Sequence, residues 1–239
     1  MTDRLYEGKA KILYSTEDPQ VLLVHFKDDA TAFNAQKKGT IEKKGEYNCR
    51  IATYILQFLS AKGIPNHFIA QVSPTEMRVK ALQIIPIEVV VRNIAAGSLC
   101  KRLGIELGMV LPNPIVEFYY KNDSLGDPLI TTDHIALLEL ATPSQVEQLK
   151  HYGLTINAHL QQFFGQCRLN LVDFKLEFGL DTQGEVILAD EISPDTCRLW
   201  DRDTNDPDQR VLDKDRFRQN LGQESAAYQE VLRRIVEST

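Results

Sequence analysis

The stretch Val172-Asp173-Phe174-Lys175-Leu176-Glu177-Phe178 constrains the fold of this chain more than any other. Apolar and charged residues alternate without a break, and a β-strand, with its period of two, sorts such a run into two faces. Val172, Phe174, Leu176 and Phe178 are expected on a core face, and Asp173, Lys175 and Glu177 on the other. A turn signal follows at Asp181-Thr182-Gln183-Gly184, so Asn170 to Asp190 reads as a hairpin. With Gln183-Gly184 as a two-residue loop, Thr182 pairs with Glu185, and counting outward sets Glu177 opposite Asp190. Opposed residues hold their Cβ atoms roughly 4.5–5.5 Å apart on one face. Two carboxylates that close repel unless a cation separates them. Mg²⁺ suits such a site, because it takes one or two carboxylates and completes its shell with water and phosphate oxygens. Lys175 on the same face would add positive charge near a substrate. A half-exposed hairpin with solvated charges has the same pattern, and a one-residue slip in the turn changes the pairing.

The rest of the chain does not alternate strands with helices in a regular way. Strand-like runs lie at Lys11 to Tyr14, Val21 to Phe26, Phe68 to Val72 and Met77 to Val79. Between them Ile51, Tyr54, Ile55, Phe58 and Leu59 mark one face of a helix that Gly63 and Pro65 end. Ile84 to Val91 reads as a buried strand. Thr142, Pro143 and Gln145 fit the N-cap, N1 and N3 positions of a capping box, with an apolar stripe from Leu149 to Cys167 behind them. A last helix buries Tyr228, Val231, Leu232 and Ile235. This order is α+β rather than doubly wound α/β. The expected division is a mostly antiparallel N-terminal sheet region, 1–80, and a larger α+β region, 81–239, packed without a linker around a cleft.

Composition excludes several classes. Charged residues make up 25% of the 239 residues and the net charge is −6, which is a poor basis for nucleic-acid binding. The cysteines Cys49, Cys100, Cys167 and Cys197 form no C-x-x-C pair, so zinc and redox motifs are not indicated. The five histidines form no catalytic motif, and structural roles are expected for them. The first residues, Met1 to Arg4, do not resemble a signal peptide, and no apolar run is long enough to span a membrane. A cytoplasmic protein is expected.

Four further segments could bind anions. Gly8-Lys9-Ala10-Lys11 leads into a strand and matches no phosphate-loop pattern, so a solvated basic turn fits as well. Arg92 ends a buried strand, and Ser98 is expected to open a short helix stopping near Gly104. Such a turn can bind phosphate, or it can hold Arg92 in a salt bridge. Arg198 follows a Ser193-Pro194-Asp195 turn just past Asp190; a capped loop with Trp200 on the core is the alternative. Lys214 and Arg218, in Lys214-Asp215-Arg216-Phe217-Arg218, also fit a solvated helix face.

Taken in order along the chain, these blocks resemble the SAICAR synthetase family. The likeness rests on Gly8 to Lys11, on Val90-Val91-Arg92-Asn93 with Ala95-Ala96-Gly97-Ser98, and on Lys101-Arg102-Leu103-Gly104. It continues through Lys121-Asn122-Asp123, Asp173 to Gly179, Asp190-Glu191 with Ser193-Pro194-Asp195, Arg198 to Asp201, and Asp213 to Arg218. The resemblance implies a fold related to kinases and ATP-grasp enzymes, with ATP in the cleft between the two regions. It implies ligation of the carboxylate of a phosphoribosyl aminoimidazole carboxylate (CAIR) to the amine of L-aspartate through an acyl phosphate. The products are SAICAR, ADP and phosphate. By the same resemblance Gly8, Lys9, Ala10 and Lys11 cradle the ATP phosphates, and backbone around Leu82 and Ile84 reads adenine. Glu177 and Asp190 hold Mg²⁺, and Arg92, Ser98 and Arg198 bind CAIR. Lys175 lies near the activated carboxylate, oriented by Asp173, and Lys214 and Arg218 serve phosphate or the aspartate carboxylates. A homo-oligomer, most simply a dimer, is implied too. Many relatives carry Asp-Gly where this chain has Asn34-Ala35. A kinase-like phosphotransferase and a non-catalytic nucleotide-binding module are the rival readings.

Overall fold

The structure, a computed structural model, describes residues 3–32 and 37–238; Asn34 and Ala35 lie outside the described residues. The N-terminal part starts with β1 (Arg4–Glu7), β2 (Lys11–Ser15) and β3 (Val21–Phe26). The hairpin β4 (Asp29–Ala32) and β5 (Lys37–Thr40) follows, then α1 (Lys44–Ala61), β6 (Phe68–Ser73) and β7 (Glu76–Lys80). β1, β2, β3, β7 and β6, in that order, form an antiparallel five-stranded sheet, and β4 pairs with β5 alone.

Beyond Lys80 come β8 (Gln83–Ile94), α2 (Gly97–Leu103), β9 (Val110–Tyr120), β10 (Leu129–Ile130), α3 (Thr132–Leu137) and α4 (Pro143–Gln166). The remainder is β11 (Leu169–Leu180), β12 (Val186–Ala189), β13 (Cys197–Asp201), α5 (Asp215–Gln219) and α6 (Glu224–Ser238). β11 is the central strand of the second sheet. One edge pairs with β8, and the other with β12 and β13. α4 begins as its sequence predicts: the Thr142 hydroxyl accepts from Gln145 N–H, and Gln145 Oε1 accepts from Thr142 N–H at 2.8 Å.

The core is built from these faces. Val89 and Val91 of β8, Leu149, Ile156 and Phe164 of α4, Phe174, Leu176 and Phe178 of β11, and Tyr228 and Val231 of α6 share one cluster. A Cβ on Gly153 of α4 would stand 3.3 Å from both Val89 and Val91, so glycine lets the helix settle close on the sheet. A smaller cluster, Val24, Phe26, Met77 and Val79 with Cys49 and Ala52, lies between the first sheet and α1.

Two details of the hairpin differ from the sequence reading. The loop holds three residues, not two: Asp181 N–H reaches Glu185 O and Gly184 N–H reaches Asp181 O, with Gly184 at φ +82°. A three-residue loop ending in a left-handed glycine is a standard hairpin closure. It moves the register by one, so Glu177 faces Ala189, not Asp190. Val172 also leaves the expected face. The register shifts between Leu171 and Asp173, and Val172 packs with Ala96, Trp200 and Val211 while Leu171 and Phe174 share the main core. The helix expected to open at Ser98 begins at Gly97.

Candidate active site

A cleft of about 920 Å³ separates the sheets, and every candidate residue named from the sequence lines it. At one end the second sheet supplies lysines and carboxylates. β11 and β8 set Glu177 directly opposite Glu88, so two carboxylates do face each other, on a different strand pair from the one expected. The Lys175 ammonium lies among them. It donates to Glu88 at 3.2 Å, to Asp190 at 3.3 Å and to Glu177. Lys121 donates to the other oxygen of Glu177 at 2.5 Å.

Asp190 reaches this cluster through its backbone. Its φ of 62° ends β12 in the left-handed region. That conformation costs a non-glycine residue about 1 kcal/mol, least for Asp and Asn. Lys11 from β2 crosses the cleft to the Asp190 carboxylate and to Glu191 Oε1, at 3.1 Å from the latter. Burial works against charge on Lys175, and the carboxylates of Glu177, Asp190 and Glu88 outweigh it, holding the ammonium well above the lysine range. Burial likewise opposes charge on Asp190, yet Lys11 and Lys175 keep its carboxyl well below the usual range.

The carboxylates fit a hard cation in one respect: Glu177 and Asp190 already share one positive group, the Lys175 ammonium. Among the described residues no group of three or more His, Cys, Asp or Glu could hold a metal. A cation such as Mg²⁺ needs only one or two carboxylates from the protein, with water and phosphate as its other oxygens, and a pair is what Glu177 and Asp190 offer.

The other end is built around Asp173, 4% exposed. The sequence reading gives it Lys175 to orient; its partners are instead two guanidiniums. Arg92 Nη1 donates at 2.9 Å and Arg198 Nη1 at 2.8 Å. Arg92 also donates to Glu117 at 2.7 Å, Ser98 Oγ at 3.1 Å and Tyr119 OH at 3.0 Å. Arg198 Nε donates to Asp215 Oδ2 at 2.7 Å, and Arg218 to Asp215 Oδ1 at 2.6 Å. Gly97 makes room for Arg198. It has φ +55°, and a Cβ there would stand 2.5 Å from Arg198 Nη2.

Lys214 approaches Asp195 at 3.7 Å, and burial lowers its pKa. Asp195 also accepts from Lys44 of α1 at 2.9 Å and from Tyr228 OH of α6 at 2.6 Å. The turn Gly8 to Ala10 closes β1 onto β2, and Lys9 pairs across the cleft mouth with Asp123 at 2.7 Å. Beyond that turn the wall is apolar, with Leu22, Val24, Met77, Val79, Leu82 and Ile84. His67 lines the cleft as well, and burial pushes it down to about 4, so it is neutral near pH 7.

The sequence reading missed Glu88, Lys121, Lys44, Asp195, Asp213 and Asp215 as parts of this network. Glu88 had a findable signal, a lone charge inside the apolar run Ile84 to Val91. Lys44 had none: it reads as a solvated helix start, yet it is 1% exposed.

The sequence profile of the SAICAR synthetase family matches residues 4–235. A phosphoribosylaminoimidazole-succinocarboxamide synthase from Synechococcus sp. (strain JA-2-3B'a(2-13)) is 64% identical over 98% of this chain and 94% of its own. The solved structure of the Ehrlichia chaffeensis phosphoribosylaminoimidazole-succinocarboxamide synthase superimposes with a TM-score of 0.94 at 46% identity, covering 99% of both chains. A SAICAR synthetase in complex with ADP superimposes with a TM-score of 0.93 at 44% identity, covering 97% of both.

Proposed function

This chain belongs to the SAICAR synthetase family, and from that premise we propose how its cleft carries out the family's reaction. It is an ATP-dependent ligase that joins the carboxylate of CAIR to the amine of L-aspartate. A carboxylate oxygen of CAIR attacks the γ-phosphorus of ATP, and ADP leaves with the bonding pair. The neutral amine of aspartate then attacks the carbonyl carbon of the acyl phosphate. The nitrogen gives up a proton, and phosphate departs to leave the amide. Phosphorylation supplies the leaving group that a free carboxylate lacks, so the protein's task is positioning and neutralising charge.

Region 1–80 supplies the nucleotide side and region 81–239 the substrate and metal side. The Gly8 to Lys11 segment cradles the phosphates, Lys11 being the main cationic contact. The apolar wall ending at Leu82 and Ile84 takes the adenine. Glu177 and Asp190 would hold Mg²⁺, which supplies neutralisation of phosphate charge when bound. Lys175 lies beside the transferring phosphoryl group. Arg198, Arg92 and Ser98 bind CAIR; Asp173 keeps the two arginines in place, and Lys214 and Arg218 extend the positive surface toward phosphate or aspartate. A homodimer in the cytoplasm is the accompanying proposal; no helix among the described residues is long and apolar enough to cross a membrane.

The observation that carries this assignment of roles is the polarity of the cleft. Lysines among carboxylates stand at one end and arginines around one buried aspartate at the other. The test is ADP release from purified protein with Mg-ATP, CAIR and L-aspartate, each omitted in turn. Release that needs all three, with SAICAR formed in step, supports it. Full turnover without aspartate would point to a phosphotransferase.

A further inference from the structure

Asp213 is fully buried at 0% exposed and is absent from the cleft wall, so it cannot touch a substrate. Its two carboxylate oxygens accept from two backbone N–H groups. Oδ1 takes Asp215 N–H at 2.7 Å, and Oδ2 takes Leu199 N–H at 2.8 Å. The first bond is a local turn at the start of α5. The second reaches β13, across the chain. Leu212 N–H adds a third tie to Leu199 O at 3.0 Å.

Leu199 follows Arg198 directly, and Asp215 is the partner of Arg198 Nε. The Asp213 carboxylate therefore joins the backbones that carry both halves of the Arg198–Asp215 pair. Among the described residues it has no ion pair of its own. A buried carboxylate without a cation in contact is costly, and its hydrogen bonds must justify it. Two donors on two oxygens fit a carboxyl group, both of whose oxygens can accept. An asparagine of the same size offers one acceptor oxygen, and its NH₂ group would meet the second N–H.

We infer that Asp213 is a positioning residue for the CAIR-binding end of the cleft, tying β13 to α5 so that Asp215 turns Arg198 toward Asp173. The inference rests on the reading of Arg198 as a CAIR contact.

The test compares Asp213→Asn with Arg198→Ala and the unchanged protein, measuring KM for CAIR, KM for ATP, kcat and the melting curve. For Asp213→Asn the KM for CAIR is expected to rise roughly tenfold, the size of one lost hydrogen bond, with the KM for ATP unchanged. A KM for CAIR equal to that of the unchanged protein, or equal rises for both substrates, overturns the inference if Arg198→Ala still weakens CAIR selectively. If Arg198→Ala leaves CAIR unaffected, the reading of Arg198 falls and the inference with it. Should Asp213→Asn not fold, Asp215→Asn removes the partner that Asp213 sets. An unchanged KM for CAIR in that variant overturns the inference equally.

Discussion

Replacing Gly97 by alanine tests whether the seat of Arg198 is built to size. Two effects add. Alanine at φ +55° is strained by about 1 kcal/mol. Its Cβ would also stand 2.5 Å from Arg198 Nη2, where real contacts need more than 3 Å. The neighbour is the far end of a long side chain, so it can move, but Nε is held by Asp215 and Nη1 by Asp173. Moving it disturbs at least one charge-assisted hydrogen bond, worth about 1.5–3 kcal/mol. The backbone strain appears as stability, a fall of roughly 2–4 °C in melting temperature for a chain of this size. The guanidinium shift appears as activity, roughly a 10- to 100-fold loss in kcat/KM for CAIR. Steady-state kinetics with CAIR and ATP varied separately, beside a thermal melt, measure both. A variant that loses stability but keeps its kcat/KM for CAIR would refute the reasoning, because Arg198 would then tolerate displacement.

Glu177→Gln is expected to lower turnover by roughly tenfold or more, equivalent to about 1.4 kcal/mol, and far more than it disturbs folding, since Glu88 and Asp190 still hold Lys175; full activity at limiting Mg²⁺ would sink the metal assignment. Lys44→Met leaves the buried Asp195 with only Tyr228 and the more distant Lys214. Removing one partner of a buried pair costs about 3–5 kcal/mol, and urea unfolding showing under 1 kcal/mol would contradict it. Burial, and then the charge of Asp215, push Asp213 up to about 7, against its two N–H donors and Arg198. An unfolded aspartate titrates near 3.9, so between about pH 4 and 7 the native state binds the extra proton and stability falls as pH rises, levelling above 7. Unfolding free energies of Asp213→Asn and the unchanged protein, compared across that range, should diverge with this slope; parallel curves would remove Asp213 as the source.

What the sequence revealed was mostly local. Thr142 and Gln145 cap α4 through bonds between near neighbours, so their spacing was enough. The alternation in β11 fixed a strand and gathered Asp173, Lys175 and Glu177 near one cleft. Register was harder, because it depends on one backbone torsion at Gly184, and a two-residue loop and a three-residue loop look alike on paper. The carboxylate that faces Glu177 is Glu88, brought there by pairing between distant strands. β9 escaped notice because Pro112 and Pro114 interrupt it. In the sheet, Leu111 to Pro114 bulge opposite Asn93, between the pairs Ile94–Val110 and Arg92–Ile115, so the prolines need not donate to the ladder. Asp190 entered the site through a left-handed torsion that no composition rule signals. Lys44 belongs to the network only because α1 and the Ser193-Pro194-Asp195 turn meet in space.

Helix α1 gives one surface to each of two oily interiors. Ile51, Ile55, Leu56 and Leu59 belong to the large cluster, and Cys49 and Ala52 to the small one. Neither sheet can therefore be peeled away with its own lining complete. A fragment ending near residue 80 would carry those four aliphatic side chains into water, and a fragment beginning there would open a trough along α6, which α1 packs against. Melting should accordingly be all-or-none, with no step at which one half is intact and the other gone. The cleft between the sheets thus inherits its rigidity from a single shared beam, and cutting the chain between the sheets should abolish both halves at once.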